Sequence, residues 1–257
     1  LDTLVVVSLV SLIWSRGILS YPHIAIYNIS GEIYDDPERD IILSNMAQED
    51  SVHGVVLRLN SPGGTVVGAE ALYDSIENIS QRKPVIVSIG EVGASAAYLA
   101  ALAGDKIFAR GNSLVGSIGV IVQYPDLSKL ADFLGISMRV IKSGEAKGGP
   151  NFLDPLNEKV FKNQESLVND SFVWFKGLVS QNRNLKGAEL EHVTKGELFT
   201  GRMALELGLI DALGSVDKAV EYLQTQGEEL SGLAVKDWSL EKKPGSFWKK
   251  IFGLYFT

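Results

Sequence analysis

The fold is decided by residues 52–64. Residues 52–59 read VHGVVLRL, and Asn60-Ser61-Pro62-Gly63-Gly64 follows directly. A short, continuous apolar run that ends at a Pro-Gly turn is typical of a strand buried on both faces. After the turn, residues 66–79 carry apolar side chains at helical spacing. A strand, a turn and a helix in this order predict a parallel sheet covered by helices.

The same alternation continues on both sides of this segment. Apolar runs predict further strands at 23–29, 84–89, 105–109, 118–122 and 138–142. Helical spacing predicts helices at 38–48, 96–103, 127–134, 157–182, 203–207 and 216–224. The sequence therefore predicts one α/β domain whose C-terminal half is mainly helical and can serve as an arm.

Composition excludes several classes of protein. The chain has 257 residues and a net charge of -7, which argues against nucleic-acid binding because phosphate neutralisation needs a basic face. It has no cysteine, which removes disulfides and thiolate catalysis. Its three histidines do not have zinc-binding spacing, so we expect no metal.

The two ends of the chain differ from the middle. Residues 3–15 are uncharged and nearly all apolar, and Trp14 and Arg16 suit a membrane interface. We interpret residues 1–20 as the remnant of a membrane anchor; a signal-peptide segment or a buried strand is the alternative. Residues 227–257 form a tail that ends in interleaved lysines and aromatic residues, which suits a membrane surface or a disordered or self-docking segment. Residues 21–226, between the two ends, are predicted to form the folded domain.

Three glycine-bearing turns follow predicted strands, at 61–64, 93–98 and 116–119. In open parallel sheets, ligands bind beyond the carboxyl ends of the strands, where such turns meet. Ser95 lies in the second turn and begins an alanine-rich helix, where free N–H groups favour developing negative charge. Ser95 is therefore a candidate nucleophile, although a serine at this position is more often a helix cap.

A nucleophilic serine needs a base. His53 and His192 have no evident carboxylate partner, so a Ser-His-Asp triad is possible but unattractive. Lysine can replace histidine where burial disfavours its charged form. Lys147 stands in a glycine-rich loop at 143–149, after a predicted strand. Most lysines are solvated surface charges, so the residues alone leave this choice open.

Several blocks occur in an order that resembles the signal peptide peptidase A family of serine peptidases. They are N-SPGG at 60–64, G-A-S-A-A-Y at 93–98, D-K-I-x-A at 105–109, G-S-I-G-V at 116–120 and K-G-E-L-F-T-G-R-x-A-x-x-x-G-L-I-D-x-L-G at 195–214. The second block departs from the family, many members of which have Ser-Gly-Gly-Tyr. The resemblance covers about residues 23–222. It implies an α/β, Clp-protease/crotonase-like fold: a mostly parallel sheet with flanking helices and a helical C-terminal arm.

The resemblance also implies roles for single residues. Ser95 matches the nucleophile, Lys147 the general base, and Ser117 the serine whose hydroxyl helps to hold the lysine. The backbone N–H groups of Ala96 and of Gly64 or Gly63 match the oxyanion hole. The implied activity is hydrolysis of hydrophobic peptides, such as cleaved signal peptides, by a Ser/Lys dyad without a metal or organic cofactor.

The family further implies a location and a partner. We expect a single-pass protein of the cell inner membrane whose catalytic domain lies on the periplasmic side. We also expect self-association into a ring, such as an octamer, in which Ser95 of one subunit meets Lys147 of the next. Two other functions stay open: a crotonase-like acyl-CoA enzyme and a catalytically silent membrane scaffold.

Overall fold

A computed structural model describes residues 21–153 and 157–240. Within them, eight strands form one sheet. The strands are β1 (His23–Ser30), β2 (Val52–Ser61), β3 (Val85–Ala94), β4 (Lys106–Ala109), β5 (Leu114–Gly116), β6 (Leu198–Thr200), β7 (Ala212–Leu213) and β8 (Ala234–Asp237). The order is β6-β5-β3-β2-β1-β8, and β4 pairs with β3 and β7. Only the β5–β6 pair is antiparallel in the described sheet, so the prediction of a mostly parallel sheet is confirmed.

The helices lie between these strands. They are α1 (Pro37–Gln48), α2 (Val66–Ser80), α3 (Ala96–Ala101), α4 (Ser128–Phe133), α5 (Glu158–Arg183), α6 (Gly187–Val193), α7 (Gly201–Glu206) and α8 (Val216–Leu223). The three longest of them begin at a side-chain cap that accepts N–H groups of the first turn: Asp36 for α1, Thr65 for α2 and Asn157 for α5. These caps explain why each helix begins where the sequence pattern predicts it.

The sheet is covered on both faces. In β2, Leu57 and Leu59 belong to the larger apolar cluster, whereas Val56 belongs to a smaller cluster that includes Leu223 of α8. Burial on both sides explains the continuous apolar run of this strand. The larger cluster also takes in α3, whose six residues are all buried. The alanine-rich composition of α3 lets it pack closely under the sheet.

The described part of the C-terminal tail adds an edge strand that the sequence analysis did not assign. β8 pairs in parallel with β1. Beyond it, the indole N–H of Trp238 donates to Nε2 of His23 at 3.0 Å, and the two rings stack. Residues 234–240 are therefore tied to the first strand of the domain. The lysine-rich end of the tail lies outside the described residues.

Two predicted strands are wrong. Residues 118–122 and 138–142 carry apolar side chains, but neither segment is extended in a ladder. The chain leaves the sheet at Ser117, which has a positive φ of 50°. Ile121 and Ile141 are 82% and 104% exposed, so no strand or helix of the described chain covers them. A β-type pattern formed no strand here because no neighbouring strand was available to pair with it.

The predicted single-pass location in the inner membrane, with a periplasmic catalytic domain, is wrong for the part of the chain that the structure describes. Among residues 21–153 and 157–240, no helix has both the length and the apolar character that a bilayer span requires. α5 is long enough, but it is amphipathic and carries many charged residues. The predicted anchor remnant, residues 1–20, lies outside the described residues.

Candidate active site

A cavity of about 200 Å³ opens where β2, β3 and β5 end. It brings together four of the residues predicted for the site, Ser95, Ser117, Gly64 and Ala96. The other residues that line it are Val66, Ala69, Leu99, Gly119, Val120, Ile121, Ser171, Trp174, Phe175 and Gly196. Gly63 is not a lining residue but lies directly behind Ser95.

Ser95 joins β3 to α3 in a conformation that is rare outside glycine, with φ 54° and ψ -124°. Its N–H donates to the carbonyl of Gly116 at 2.8 Å, and its carbonyl accepts from the N–H of Leu99 at 2.9 Å. Its side chain makes no capping hydrogen bond to α3. The hydroxyl is therefore not used as a helix cap and is directed to the cavity. Backbone strain of this kind is concentrated at functional sites.

Ser61 shapes the turn beside Ser95, and the sequence analysis did not single it out. Its side chain is fully buried. Its hydroxyl accepts from the N–H of Gly63 at 3.1 Å and lies 3.3 Å from the carbonyl oxygen of the same glycine. Ser61 thus fixes Gly63, which has a φ of 121° that favours glycine. The Ser-Pro-Gly-Gly pattern contains this serine, but the sequence analysis assigned a role only to its glycines.

Gly64 presents its N–H to the cavity. The carbonyl of Gly63 accepts from the N–H of Ile33, and the N–H of Thr65 donates to the carbonyl of Ile33. In a trans peptide the C=O and the next N–H point in opposite directions, so the N–H of Gly64 points away from Ile33. A Cβ atom at Gly64 would overlap the carbonyl of Ile33, which explains the second glycine.

A further N–H group is available at the start of α3. Residues in the first turn of a helix have no partner for their N–H within the helix. Ala96 is the first residue of α3 and lines the cavity next to Ser95. Gly64, Ala96 and Ser95 therefore line one cavity, the arrangement from which an oxyanion hole can be built.

Ser117 lies at the end of β5 and shares the positive φ of Ser95. Its N–H donates to the carbonyl of Glu197 at 2.7 Å, which ties it to the turn before β6. Of the three described non-glycine residues with positive φ, two therefore line one cavity. The third, Asn184, ends α5 as an ordinary left-handed cap.

The walls of the cavity are apolar. Val66 and Ala69 of α2 and Leu99 of α3 form one side, and Trp174 and Phe175 of α5 form another. The sequence analysis missed the contribution of α5; its helical period was visible, but nothing in it showed which sheet edge the helix crosses. None of the described lining residues is charged, and the described residues contain no cluster that could hold a metal ion.

The structure does not bring Lys147 to this cavity. Lys147 is exposed, and its N–H donates to the carbonyl of Gly144 at 3.1 Å. Neither His53 nor His192 lines the cavity; the imidazole of His192 packs against Phe199 instead. Within the described part of one chain, Ser95 therefore shares its cavity with Gly64 and Ala96 but with no basic side chain.

Comparison with known proteins identifies the family and the fold of the chain. Residues 77–230 match Peptidase family S49, and residues 19–114 match the Clp protease family. A mutant of the 1510-N membrane-bound stomatin-specific protease has a similar fold, with a TM-score of 0.53 and 16% identity over 85% of this chain and 98% of that one. The Clp protease match and this likeness of fold together confirm the Clp-protease-like fold.

The sequence is similar to several proteases. A Synechocystis sp. protein described as a protease is 31% identical over 83% of this chain and 78% of its own length. Protease 4 of Haemophilus influenzae is 29% identical, over 85% of this chain and 37% of its own length. The chloroplastic serine protease SPPA of Arabidopsis thaliana is 30% identical, over 64% of this chain and 24% of its own. The resemblance to the signal peptide peptidase A family is thereby confirmed, and the chain is a serine-type protease that belongs to Peptidase family S49.

Proposed function

We propose that the protein is an endopeptidase that hydrolyses hydrophobic peptides, such as cleaved signal peptides, with Ser95 as its nucleophile. One observation carries the proposal: Ser95 is held at a φ of 54° in an uncharged cavity, with the N–H groups of Gly64 and Ala96 beside it. A strained serine next to convergent backbone donors suits attack on a carbonyl carbon.

In the proposed reaction the Oγ of Ser95 attacks the carbonyl carbon of the scissile peptide bond, and the amine of Lys147 takes the hydroxyl proton. The carbonyl oxygen becomes an oxyanion that accepts hydrogen bonds from Gly64 and Ala96. Lys147 then gives its proton to the leaving amine as the C–N bond breaks. A water molecule hydrolyses the acyl-enzyme by the same steps, and Ser95 regains its proton.

The oxyanion hole is the part of this mechanism that rests most directly on fixed backbone. The N–H of Gly64 is oriented by the two hydrogen bonds between Ile33 and the residues on either side of Gly64. Loss of one such donor costs about 3 to 4 kcal/mol in related acyl transfer. The tight approach of Gly64 to Ile33 supports this role because it leaves the donor little room to move.

We propose that Lys147 reaches Ser95 from a second copy of the chain. Lys147 is exposed and is absent from the lining of the cavity formed by its own chain. The segment around it exposes large apolar side chains, among them Ile121, Phe133 and Ile141 at 82%, 86% and 104%. Burial of such a surface would favour association. A head-to-tail contact between identical subunits closes into a ring, for which the family resemblance suggests eight members.

The preference for hydrophobic peptides is proposed from the walls of the cavity. Val66, Leu99 and Trp174 offer apolar surface next to Ser95. No described lining residue carries a charge that could pair with an acidic or basic side chain of a substrate. Apolar side chains are therefore expected in the position that precedes the scissile bond, because their burial there is favourable.

The test is a peptidase assay on an internally quenched peptide with a leucine-rich centre. Wild type should cleave it, Ser95→Ala should not, and Ser80→Ala should behave as wild type because Ser80 lies outside the cavity. A fluorophosphonate should label wild type but not Ser95→Ala. Absence of both cleavage and labelling would contradict the proposal and favour an acyl-CoA enzyme or a silent scaffold.

A further inference from the structure

A second cavity, of about 420 Å³, opens on the face of the sheet that carries α8. Its lining includes Arg58 and Asn60 of β2, Ser88 and Glu91 of β3, and Arg110 after β4. None of these residues lines the cavity of Ser95, and the proposed hydrolysis gives none of them a role. The cavity is therefore a separate feature of the fold.

Ser88 is the most informative residue of this cavity. Only 3% of its surface is exposed, and its hydroxyl, which makes no hydrogen bond to a described residue, opens onto the cavity. Since Ser88 lines the cavity, a molecule bound there would supply the missing partner.

Two arginines stand on the same face of the sheet as Ser88. Ser88 of β3 pairs in register with Arg58 of β2 on one side and with Phe108 of β4 on the other. Arg110 follows Phe108 at the spacing that returns a side chain to the same face. In the described part of the chain neither guanidinium has an ion-pair or hydrogen-bond partner, whereas Arg39 and Arg183 are both paired. Arg58 and Arg110, both exposed, therefore bring to this cavity two positive charges that have no ion-pair partner in the described residues.

Further hydrogen-bond donors lie at the same cavity. The Oδ1 of Asn60 accepts from the N–H groups of Glu91 and Val92, at 2.9 and 3.1 Å. Its amide nitrogen is thereby left to donate into the cavity. Ser215 and Val216, at the start of α8, also line the cavity, and α8 has no side-chain cap there. No capping side chain therefore accepts a hydrogen bond from the N–H groups of its first turn.

The balance of charges decides the kind of ligand. Against the two guanidinium groups of Arg58 and Arg110, the carboxylate of Glu91 is the one negative group among the described lining residues. Asp217, in the first turn of α8, does not line the cavity. A cavity with an excess of donors and of positive charge suits an anion whose oxygens accept several hydrogen bonds. We infer that this cavity is a binding site for a small oxyanion, a carboxylate or phosphate group, held by Arg58, Arg110, Ser88 and Asn60.

Guanidinium groups recognise carboxylate and phosphate equally well in shape, since both present paired oxygens. The experiment therefore titrates the full chain with sodium phosphate and, separately, with sodium acetate, by isothermal calorimetry at an ionic strength held constant with sodium chloride. Acetamide serves as the uncharged analogue of acetate. We expect saturable binding of one anion to wild type and none of acetamide; tighter binding of phosphate indicates a phosphate-bearing ligand, and tighter binding of acetate a carboxylate.

Three variants test whether the named residues hold the anion. Arg110→Met should weaken binding about tenfold or more, because it removes a charge-assisted hydrogen bond. Ser88→Ala, a change that removes only the hydroxyl, should weaken it several-fold. Arg82→Met is the matched control: Arg82 is exposed and lines neither cavity, so binding should not change. The inference is overturned if neither anion binds saturably, or if Arg110→Met and Ser88→Ala bind as wild type does.

Discussion

Gly63 lies directly against Ser95: a Cβ atom at Gly63 would stand 2.9 Å from the Cβ of Ser95, closer than real side chains approach each other. Gly63 also has a φ of 121°, which a residue with a side chain rarely adopts. The turn after β2 is thus shaped around the nucleophile. Any side chain at Gly63 must move either the turn or Ser95.

The first prediction follows from this contact. Gly63→Ala should lower kcat at least about a hundredfold, the loss expected when an oxyanion donor is displaced. Steady-state kinetics on the leucine-rich peptide measure the effect. Gly177→Ala is the control, because Gly177 lies in α5 with nothing near its would-be Cβ. That change should keep full activity and stabilise the helix by up to about 1 kcal/mol. Full activity of Gly63→Ala would show that the turn is not part of the catalytic site.

The second prediction concerns Ser61. Removal of its hydroxyl in Ser61→Ala should leave the N–H of Gly63 without its partner and loosen the turn. We expect a loss of about 1 to 3 kcal/mol, the usual cost of an unsatisfied buried donor, in transition-state stabilisation, in folding stability or in both. Kinetics and urea unfolding together measure it. A variant with unchanged kinetics and unchanged stability would exclude Ser61 as a support of the site.

The third prediction separates the strain at Ser117 from its chemistry. Ser117→Gly removes the hydroxyl but suits the positive φ of 50° better than serine does. Activity should fall while thermal stability holds or rises, if the hydroxyl positions Lys147. Asn184→Gly makes the same kind of change at the end of α5, where φ is 54° and no catalytic role is proposed. It should keep full activity. Equal activity of the two variants would show that the hydroxyl of Ser117 has no role in the mechanism.

The fourth prediction concerns acid stability. Asp211 accepts hydrogen bonds from the N–H of Ile107 and from the side chains of Arg183 and Lys106, at 2.8, 2.9 and 3.2 Å. Burial raises the pKa of Asp211, but the hydrogen bonds and the charge of Arg183 outweigh burial and leave the pKa below its ordinary value. Its contribution to stability is therefore complete above the unfolded pKa of about 3.9 and is lost as the pH falls through the folded value.

Asp211→Asn should accordingly lower the free energy of unfolding by about 3 kcal/mol near neutral pH, the cost of breaking a largely buried ion pair. The gap between wild type and variant should shrink as the pH falls below about 4. Urea unfolding at several pH values measures it. Asp132→Asn, which alters an exposed carboxylate of α4, should change little at any pH. A gap that stays constant with pH would contradict the assigned cause.

The sequence could predict those parts of the fold that local chemistry determines. The strand at 52–59 is buried on both faces, and the observed β2 (Val52–Ser61) matches it closely. α2 begins where Thr65 caps it. Ser95, Ser117, Gly64 and Ala96 meet because each stands at the carboxyl end of a strand or just beyond it, and parallel strands share that edge.

Other features depend on partners that a linear pattern does not identify. Residues 138–142 have the composition of a strand, but nothing in the described chain pairs with them. The wall formed by Trp174 and Phe175 depends on the path of α5 across the sheet edge. The support of Gly63 by Ser61 depends on the rotamer of one buried hydroxyl. Each of these is a tertiary relationship, and periodicity reports only local ones.

The central claim is that Ser95 of one chain works with Lys147 of another, and subunit complementation tests it most directly. Ser95→Ala and Lys147→Ala should each be folded but inactive, since the loss of one member of a catalytic unit costs about as much activity as the loss of all. Mixed under conditions of proven subunit exchange, the two inactive proteins would form some contacts in which both residues are intact. The account predicts that peptidase activity partly returns in the mixture. A mixture that stays inactive despite exchange would contradict the shared site and place both residues of the dyad within one chain.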